Sequence, residues 1–406
     1  MNTHNAQRAV YNVNIPGSKS IAARALVCRL LGGHDTVLSN LPDCSDTKGM
    51  LRLTESVRHA VASGEKVAVD IGEGGTTLRF GMAACASVPG LDITLTGSRR
   101  LMERPHVHLE KALRDMGAEL SPLREDNSIR IKGHLLSGGT LEIDGSMSSQ
   151  YLSALMLAAP VWDKDTLIRL TGHVVSRPYI DMTAGVMRAF GAKVEINDAD
   201  DTLEVSVRAT GYAQCARYDI EGDWSGASYF FESRLIMESL GMPCEIEMPT
   251  LISPGESLQG DSRVAAIFAE ASRKLKEKDK SQFLLDLNDA PDLVPAVAVG
   301  FCLAEIPFRI EGVAHLRHKE SDRMVAIACE LRRLGFVLTT DVDSMAWEGD
   351  RCTPEDHPMI RTYLDHRMAM AFSPARLIFP SLSIEDPSVV EKSFPDFWSE
   401  INKLTL

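Results

Sequence analysis

The sequence predicts an α/β (α+β) protein of two domains, and three observations lead to this prediction. The chain has 406 residues, more than one hydrophobic core usually serves. Apolar runs with helical spacing alternate with short β-rich runs along its length. A short polar loop followed by a small-residue apolar segment also recurs roughly every 57 to 77 residues, which indicates repeated copies of one α/β subdomain. The six copies are residues 16–30, 73–86, 145–159, 222–236, 288–304 and 364–378.

Other helices and strands are predicted between these segments. Three stretches with helical spacing end at Gly117, Gly191 and Gly335, just before a β-like run. Glycine at such a position fits the left-handed residue that commonly ends a helix. The runs TLEIDG, DTLEVSVRA, CEIEMP and PFRIEGV are rich in alternating or β-branched residues and are predicted strands.

The charge and the cysteines exclude several classes of function. A formal charge of −13 argues against binding to nucleic acid or to acidic membranes, because both require a positive surface. The eight cysteines form no C-x-x-C pair and have no histidine at metal-ligand spacing, so we expect reduced thiols and no metal or organic cofactor. The chain shows neither a signal-peptide pattern nor an apolar run long enough for a bilayer, so we expect a cytoplasmic protein.

The recurring loops carry residues suited to small anions. Gly, Ser, Asp or Asn precedes each helix, and the start of a helix offers unpaired N–H groups and a partial positive charge. Arg24 lies one turn after Ser20, so its guanidinium can return toward the loop that holds Lys19. Simple N-capping remains the alternative for any single loop. A nucleotide-binding P-loop is excluded, because Lys19 follows serine and the upstream glycine is missing.

Two carboxylates are candidates for proton transfer. Asp292 follows Pro291 at a predicted helix start, and Glu320 lies between Lys319 and Arg323. An N-cap for Asp292 and a surface ion pair for Glu320 are the structural alternatives. Their occurrence beside anion-type loops favours a catalytic role.

Over nearly its full length the chain resembles the EPSP synthase (enolpyruvylshikimate phosphate synthase) family. The resemblance rests on ten motifs in the family's order. They are PGSKS from Pro16, GTTLR from Gly75, RPH from Arg104, GSMSSQY from Gly145, SRPYID from Ser176, EGDWSGASYF from Glu221, DLNDAPD from Asp286, RHKESDR from Arg317, DHRMAMAF from Asp365 and EKSFPDF from Glu391.

The resemblance implies a reaction and an architecture. The enolpyruvyl group of phosphoenolpyruvate (PEP) would pass to the 5-hydroxyl of shikimate 3-phosphate, with release of phosphate, on the shikimate pathway to chorismate and aromatic amino acids. The fold would be an inside-out α/β barrel of six βαβαββ subdomains with the active site in the cleft between two domains. One domain would comprise residues 16–218 and the other residues 1–15 with 219–406. We expect a monomer.

The family pattern also implies roles for individual residues. Asp292 would be the base and Glu320 the acid, with Lys19 and Lys319 assisting. His315 stands where the family often has asparagine. The implied contacts to shikimate 3-phosphate are Lys19, Ser20, Arg24, Ser148, Ser149, Gln150, Ser176, Tyr179, Asp292, His315 and Lys319. The implied contacts to PEP are Lys19, Gly75, Arg104, Gln150, Arg323, Arg367 and Lys392.

Two alternatives of different classes remain. The sister enolpyruvyl transferase that acts on UDP-N-acetylglucosamine usually carries a reactive cysteine before its R-P motif, whereas the stretch GSRRLMERP has none. A non-catalytic anion-binding relative would not need Lys19, Asp292, Glu320 and Arg367 together. Both alternatives are therefore less favoured than enolpyruvyl transfer to shikimate 3-phosphate.

Overall fold

A computed structural model describes residues 8–103, 106–121, 127–145, 148–172, 174–199, 202–319 and 321–405. The chain divides into two compact units. The first unit is Gly17–Glu221, and the second unit is Met1–Pro16 together with Gly222–Leu406. These divisions lie one and three residues from the domain boundaries that the family pattern implies.

The strands are short: each has six residues or fewer, and each pairs within one of six small sheets. In chain order they are β1 (Ala9–Asn12), β2 (Val37–Ser39), β3 (Val67–Asp70), β4 (Asp92–Thr96), β5 (Glu119–Leu120), β6 (Ser128–Lys132), β7 (Gly139–Asp144), β8 (Thr166–Thr171), β9 (Val194–Ala199), β10 (Thr202–Val207), β11 (Arg217–Asp219), β12 (Cys244–Glu247), β13 (Phe283–Asp286), β14 (Phe308–Glu311), β15 (Thr339–Thr340), β16 (Ser344–Trp347), β17 (Met359–Ile360) and β18 (Ser383–Ile384).

The helices of the described residues vary from four to nineteen residues in length. In chain order they are α1 (Lys19–Gly32), α2 (Ser45–Ser63), α3 (Gly75–Ala86), α4 (Arg99–Met102), α5 (Val107–Asp115), α6 (Ser149–Ala158), α7 (Arg177–Ala189), α8 (Trp224–Ser239), α9 (Val264–Glu277), α10 (Val294–Leu303), α11 (Arg323–Arg333), α12 (His366–Phe372) and α13 (Phe397–Thr405). No helix in this described part of the chain is long and apolar enough to cross a bilayer.

Three four-stranded sheets share one topology. Their strand orders are β3-β4-β6-β5, β7-β8-β10-β9 and β13-β14-β16-β15. In each sheet the first two strands are parallel, and the last two form an antiparallel hairpin. Parallel neighbours need a crossover connection, and a helix provides it in each case. Each of these three sheets is therefore a complete βαβαββ unit.

The other three sheets consist of one parallel pair each within the described residues: β11-β2, β1-β12 and β17-β18. In two of them the partners lie far apart in sequence. Val37 pairs with Arg217, and Ala9 pairs with Cys244. The strands β2, β12 and β18 are followed by the helices α2, α9 and α13, and α12 connects β17 to β18 as a βαβα unit. The mixed helix and strand content confirms the predicted α/β class.

Central and outer helices alternate along the chain. The central helices α1, α3, α6, α8, α10 and α12 are buried on nearly every side, and all ten residues of α10 are buried. The outer helices bury one stripe, as α9 does with Val264, Ile267, Phe268 and Ala271. Each central helix begins inside one of the six recurring segments, so the predicted repeat is confirmed. The first turns of these helices therefore carry the polar motif residues.

The glycine caps are also confirmed. Gly117, Gly191 and Gly335 have φ of 98°, 79° and 90°, the left-handed region that glycine adopts without strain from a Cβ atom. The four predicted strands correspond to β7, β10, β12 and β14. Local turn chemistry and residue pattern are therefore sufficient to predict these elements.

The apolar core of the second unit contains the acidic side chain of Glu232. Glu232 on α8 is completely buried, and neither of its carboxyl oxygens has a hydrogen-bond partner within the described chain. A Cβ atom at Gly300 would lie 2.9 Å from Glu232 Cγ, so only glycine leaves room for this side chain. Burial raises the pKa of Glu232 well above its ordinary value, and the folded protein therefore holds this carboxyl in its neutral form.

Replacing Glu232 with methionine should stabilise the protein at pH 8 by about 1–3 kcal/mol, because the variant no longer buries an unsatisfied polar group. The folded state binds a proton at Glu232 that the unfolded state has released, so the wild type loses stability as pH rises from the ordinary carboxyl pKa toward the raised one. The advantage of Glu232→Met should accordingly grow between pH 5.5 and pH 8. Thermal unfolding at both pH values measures it.

Glu238→Met on the same helix is the matched control. The Glu238 carboxylate accepts a hydrogen bond from Ser272 and lies 3.0 Å from Lys276 Nζ, so its removal should bring no comparable gain. An advantage of Glu232→Met that is equal at both pH values would contradict the proton linkage.

Candidate active site

Lys19 begins α1 in the first unit and pairs with a carboxylate. Its Nζ lies 2.9 Å from Asp46 Oδ2, and the two side chains are 20% and 12% exposed. Asp46 lies in the first turn of α2, where the partial positive charge of the helix start favours an acid. An anionic ligand of Lys19 must therefore compete with Asp46. Sequence reasoning missed Asp46, although an acid in the first turn after a predicted helix start was a usable signal.

Arg24 is a buried cation of the first unit. Its guanidinium donates to Thr183 Oγ1 at 2.7 Å, to Ser153 Oγ at 3.1 Å and to the carbonyl oxygens of Ser20 and Tyr179 at 2.8 and 3.4 Å. Among the described residues no carboxylate pairs with it. Burial lowers the pKa of Arg24 to about 10, so it stays charged at neutral pH. An uncompensated buried charge is costly, and an anionic ligand would relieve that cost.

Two helix starts bring further polar groups to this part of the first unit. Ser148 caps α6 and accepts a hydrogen bond from the Gln150 amide, and Ser149 is the first helical residue. The Gln150 side chain accepts a hydrogen bond from Arg79 on α3. At the start of α7, Ser176 is buried with φ 56° and ψ 41°. A non-glycine residue in this left-handed conformation is strained, as is often seen at binding sites.

The PEP residues predicted in the first unit are partly within the described chain. Gly75 is the first residue of α3, after Gly74. A Cβ atom on Gly74 would lie 2.7 Å from Thr77 Oγ1, so a glycine at this position permits the close approach at the start of α3. Arg104 lies outside the described residues.

In the second unit, Asp292 lies between two arginines. Arg323 Nη1 donates to Asp292 Oδ1 at 2.9 Å, and Arg367 Nη2 donates to Asp292 Oδ2 at 2.7 Å. Both guanidinium groups are at least nine-tenths buried, whereas the Asp292 side chain is 17% exposed. Asp292 lies in the 3₁₀ turn Pro291–Leu293, and Leu293 rather than Asp292 holds the N-cap position of α10. The N-cap alternative is therefore wrong, and the carboxylate instead accepts hydrogen bonds from both arginines.

Asp365 also contacts both of these arginines. Its carboxylate is fully buried, lies 2.7 Å from Arg323 Nε and accepts a hydrogen bond from the Arg367 amide as the N-cap of α12. Arg367 Nη1 also lies 3.5 Å from the Tyr229 hydroxyl on α8. Sequence reasoning missed Asp365 and Tyr229. Asp365 precedes a helix start, which was a signal for a cap but not for its ion pair.

The other site residues predicted in the second unit lie in or next to short turns. His315 and Lys319 belong to or follow the 3₁₀ turn Ala314–His318, and Lys392 ends the 3₁₀ turn Pro387–Lys392. Burial, assisted by the positive charge of Lys319, lowers the pKa of His315 to about 4, so its imidazole is neutral at physiological pH. His315 Nε2 is buried without a hydrogen-bond partner in the described chain. Glu320 lies outside the described residues.

Each unit thus gathers polar residues from several helix starts. Arg24 connects α1 with α6 and α7, and Gln150 connects α6 with α3. Asp292 joins α11 to α12 in the second unit. Buried arginines are suited to binding anions, and a partly exposed carboxylate is suited to accepting a proton.

Comparison with known proteins gives consistent results over the whole chain. The sequence profile described as EPSP synthase (3-phosphoshikimate 1-carboxyvinyltransferase) matches residues 4–401. A curated relative named 3-phosphoshikimate 1-carboxyvinyltransferase from Bacteroides fragilis (strain YCH46) is 38% identical over 405 residues, covering 96% of this chain and 94% of the relative. One of the same name from Aliivibrio fischeri (strain MJ11) is 34% identical and covers 97% and 96%.

Solved structures share the fold. The EPSP synthase from Acinetobacter baumannii superposes with a TM-score of 0.70 at 20% identity, covering 98% of this chain and 96% of that one. The enolpyruvyl transferase NikO from Streptomyces tendae gives 0.66 at 15% identity, covering 99% and 96%. The family predicted from the motifs is confirmed, and the chain belongs to the EPSP synthase family.

Proposed function

We infer that this protein is a 3-phosphoshikimate 1-carboxyvinyltransferase, which transfers the enolpyruvyl group of PEP to the 5-hydroxyl of shikimate 3-phosphate and releases phosphate. The family match over residues 4–401 and the curated relatives support this activity, and they do not favour the UDP-N-acetylglucosamine alternative. The observation that carries the chemistry is Asp292 between Arg323 and Arg367. A non-catalytic anion-binding protein has no need for a partly exposed carboxylate at that position.

The first unit supplies phosphate and carboxylate ligands in this proposal. Arg24 is a charged, buried donor without a carboxylate partner in the described chain, and this supports its role in shikimate 3-phosphate binding. Gly75 and Gln150 are assigned to PEP, with Gln150 and Lys19 also assigned to the other substrate. The remaining first-unit contacts proposed for shikimate 3-phosphate are Ser20, Ser148, Ser149, Ser176 and Tyr179.

The second unit supplies the proton acceptor and the arginines for PEP. Asp292, His315 and Lys319 are assigned to shikimate 3-phosphate, and the neutral imidazole of His315 can donate or accept one hydrogen bond there. Arg323, Arg367 and Lys392 are assigned to PEP, as is Arg104 of the first unit. A carboxylate suits the planar donors of a guanidinium, so the PEP carboxylate is a competitor of Asp292 for both arginines.

The chemistry then follows from an exchange of partners. When the PEP carboxylate takes over Arg323 and Arg367, Asp292 is released to accept the proton of the 5-hydroxyl. The 5-oxygen bonds to the central carbon of PEP while Glu320 donates a proton to the methylene carbon, which gives a tetrahedral ketal. Loss of a methyl proton and breakage of the carbon–oxygen bond to phosphate then restore the double bond. Lys19 and Lys319 balance the negative charge that develops.

Phosphate release tests the activity directly. The protein is incubated with PEP and either shikimate 3-phosphate or UDP-N-acetylglucosamine, and phosphate is measured together with the mass of the product. We expect equal amounts of phosphate and enolpyruvyl product with shikimate 3-phosphate only. Turnover with the sugar nucleotide would favour the sister activity, and binding of both substrates without turnover would favour the non-catalytic alternative.

We also propose that the enzyme works as a monomer in the reducing cytoplasm. All eight cysteines are free, and burial raises the pKa of Cys28 and Cys85 to about 12, so these two thiols stay protonated and unreactive. Light scattering after size-exclusion chromatography should give the mass of a single chain. The mass of a dimer would overturn the monomer proposal.

A further inference from the structure

A third carboxylate of the second unit is fixed near the arginine cluster, which consists of Arg323 and Arg367. Asp261 lies in the 3₁₀ turn Gly260–Arg263 and is 4% exposed. Its Oδ2 accepts a hydrogen bond from Ser225 Oγ in the first turn of α8. The neighbouring Gln259 ties the same turn to the start of α8, because its side chain accepts from the Trp224 amide at 3.1 Å and donates to the Gly222 carbonyl at 2.8 Å. Asp261 is therefore held in one place.

The helix α8 connects Asp261 to the proposed PEP arginine. Ser225 and Tyr229 are four residues apart and so lie on one face of α8. Ser225 binds Asp261, and the Tyr229 hydroxyl lies 3.5 Å from Arg367 Nη1. Arg367 in turn holds Asp292 at 2.7 Å. The same helix face thus touches the buried acid at one turn and the arginine at the next.

The charges that act on Asp261 come from this cluster. Asp292 in the turn before α10 and Asp223 at the N-cap of α8 oppose its ionised form. Arg367 on α12 favours the ionised form, as does the hydrogen bond from Ser225. The ionisation of Asp261 is therefore coupled to the residues that handle PEP and the proton.

We propose that Asp261 is a positioning residue for PEP that acts through Arg367. The neutral carboxyl leaves the Arg367 guanidinium available to the PEP carboxylate, whereas the ionised carboxylate attracts Arg367 and repels the incoming anion. This inference rests on the function proposed above. It adds a residue that contacts neither substrate in that proposal.

The titration of Asp261 falls near neutral pH. Burial, and then the negative charge of Asp292, raise the pKa of Asp261 to about 7. Bound PEP brings further negative charge and raises this pKa again, so the enzyme with neutral Asp261 binds PEP more tightly. PEP affinity is then highest below the pKa of the free enzyme and falls as pH rises above it. A rise of about one pKa unit on binding corresponds to a roughly tenfold loss of affinity across the titration.

Steady-state kinetics from pH 6 to pH 9 test the proposal, with saturating shikimate 3-phosphate and varied PEP. The KM for PEP of the wild type should rise roughly tenfold through and above pH 7. Asp261→Asn should remove this rise, since asparagine can accept the Ser225 hydrogen bond but cannot ionise. The ionisation of PEP itself is common to both enzymes and cancels in the ratio of their KM values.

Two further variants complete the design. Ser225→Ala removes the hydrogen bond that favours the ionised form, so the rise in KM should move to higher pH. Glu256→Gln removes one exposed acid of the same unit and should leave the wild-type profile. If Asp261→Asn fails to fold, the shift in Ser225→Ala still decides the question.

The outcomes separate this inference from the proposed function. No turnover by the wild type would refute the function itself. Turnover with identical pH profiles of KM in the wild type and both Asp261→Asn and Ser225→Ala would overturn the role of Asp261 alone. A lower kcat in Asp261→Asn without any change in the pH profile would indicate a purely structural residue, which also contradicts the proposal.

Discussion

Asp292→Asn should lower kcat by about 10² to 10⁴, the usual contribution of a positioned general base. Asparagine keeps the shape of the side chain but cannot accept the proton of the 5-hydroxyl. The arginine cluster should survive, because Arg323 retains its ion pair of 2.7 Å with the fully buried Asp365. Steady-state rates of phosphate release with both substrates saturating measure the effect.

Asp286→Asn is the control for this substitution. Asp286 ends β13 in the same loop region and accepts the Asn288 amide at 2.9 Å, an interaction that asparagine can replace. Its kcat should stay close to that of the wild type. If Asp292→Asn retained wild-type kcat as well, Asp292 would have no role in proton transfer.

Arg24→Met should weaken shikimate 3-phosphate binding by about a hundredfold or more, the scale for removing one partner of a buried, hydrogen-bonded charge pair. The variant should nevertheless remain as stable as the wild type, because it also removes a buried charge that no carboxylate of the described chain balances. Ser153 and Thr183 can still bond to each other at 2.8 Å. Calorimetric titration with shikimate 3-phosphate measures the affinity, and thermal unfolding measures the stability.

Two variants on the same helix refine this result. Arg24→Lys keeps the charge but loses the planar set of donors, so its affinity should lie between those of the wild type and Arg24→Met. Arg29→Met, in the last turn of α1, should bind normally. A large loss of stability without loss of affinity in Arg24→Met would instead assign Arg24 a structural role.

Much of the fold follows from local sequence. The glycines at 117, 191 and 335 end helices as their position predicts, and the six recurring segments each begin a central helix. The sheet pairings were not predictable, because they join distant parts of the chain. Ala9 pairs with Cys244, and nothing in the sequence around either residue identifies the other. For the same reason, the sequence did not predict that three of the sheets in the described chain consist of only one parallel pair of strands.

The candidate site, like the fold, was predictable in its residue types but not in its long-range contacts. The sequence predicted anion binding for Arg323 and Arg367 and proton transfer for Asp292, but not that both arginines share this one carboxylate. Asp46 and Asp365 were missed, since their roles depend on cations that lie elsewhere in the chain. Charge pairing across loops is a property of tertiary structure. A single sequence shows which charged residues are present, but it does not show which of them pair with each other.

The central claim is that PEP displaces Asp292 from Arg323 and Arg367. Calorimetric measurement of PEP binding to Asp292→Asn and to the wild type, both with shikimate 3-phosphate bound, tests this claim most directly. The account predicts tighter PEP binding to Asp292→Asn, because the arginines no longer have to leave a carboxylate, although turnover is lost. Weaker PEP binding to the variant would contradict the exchange of partners.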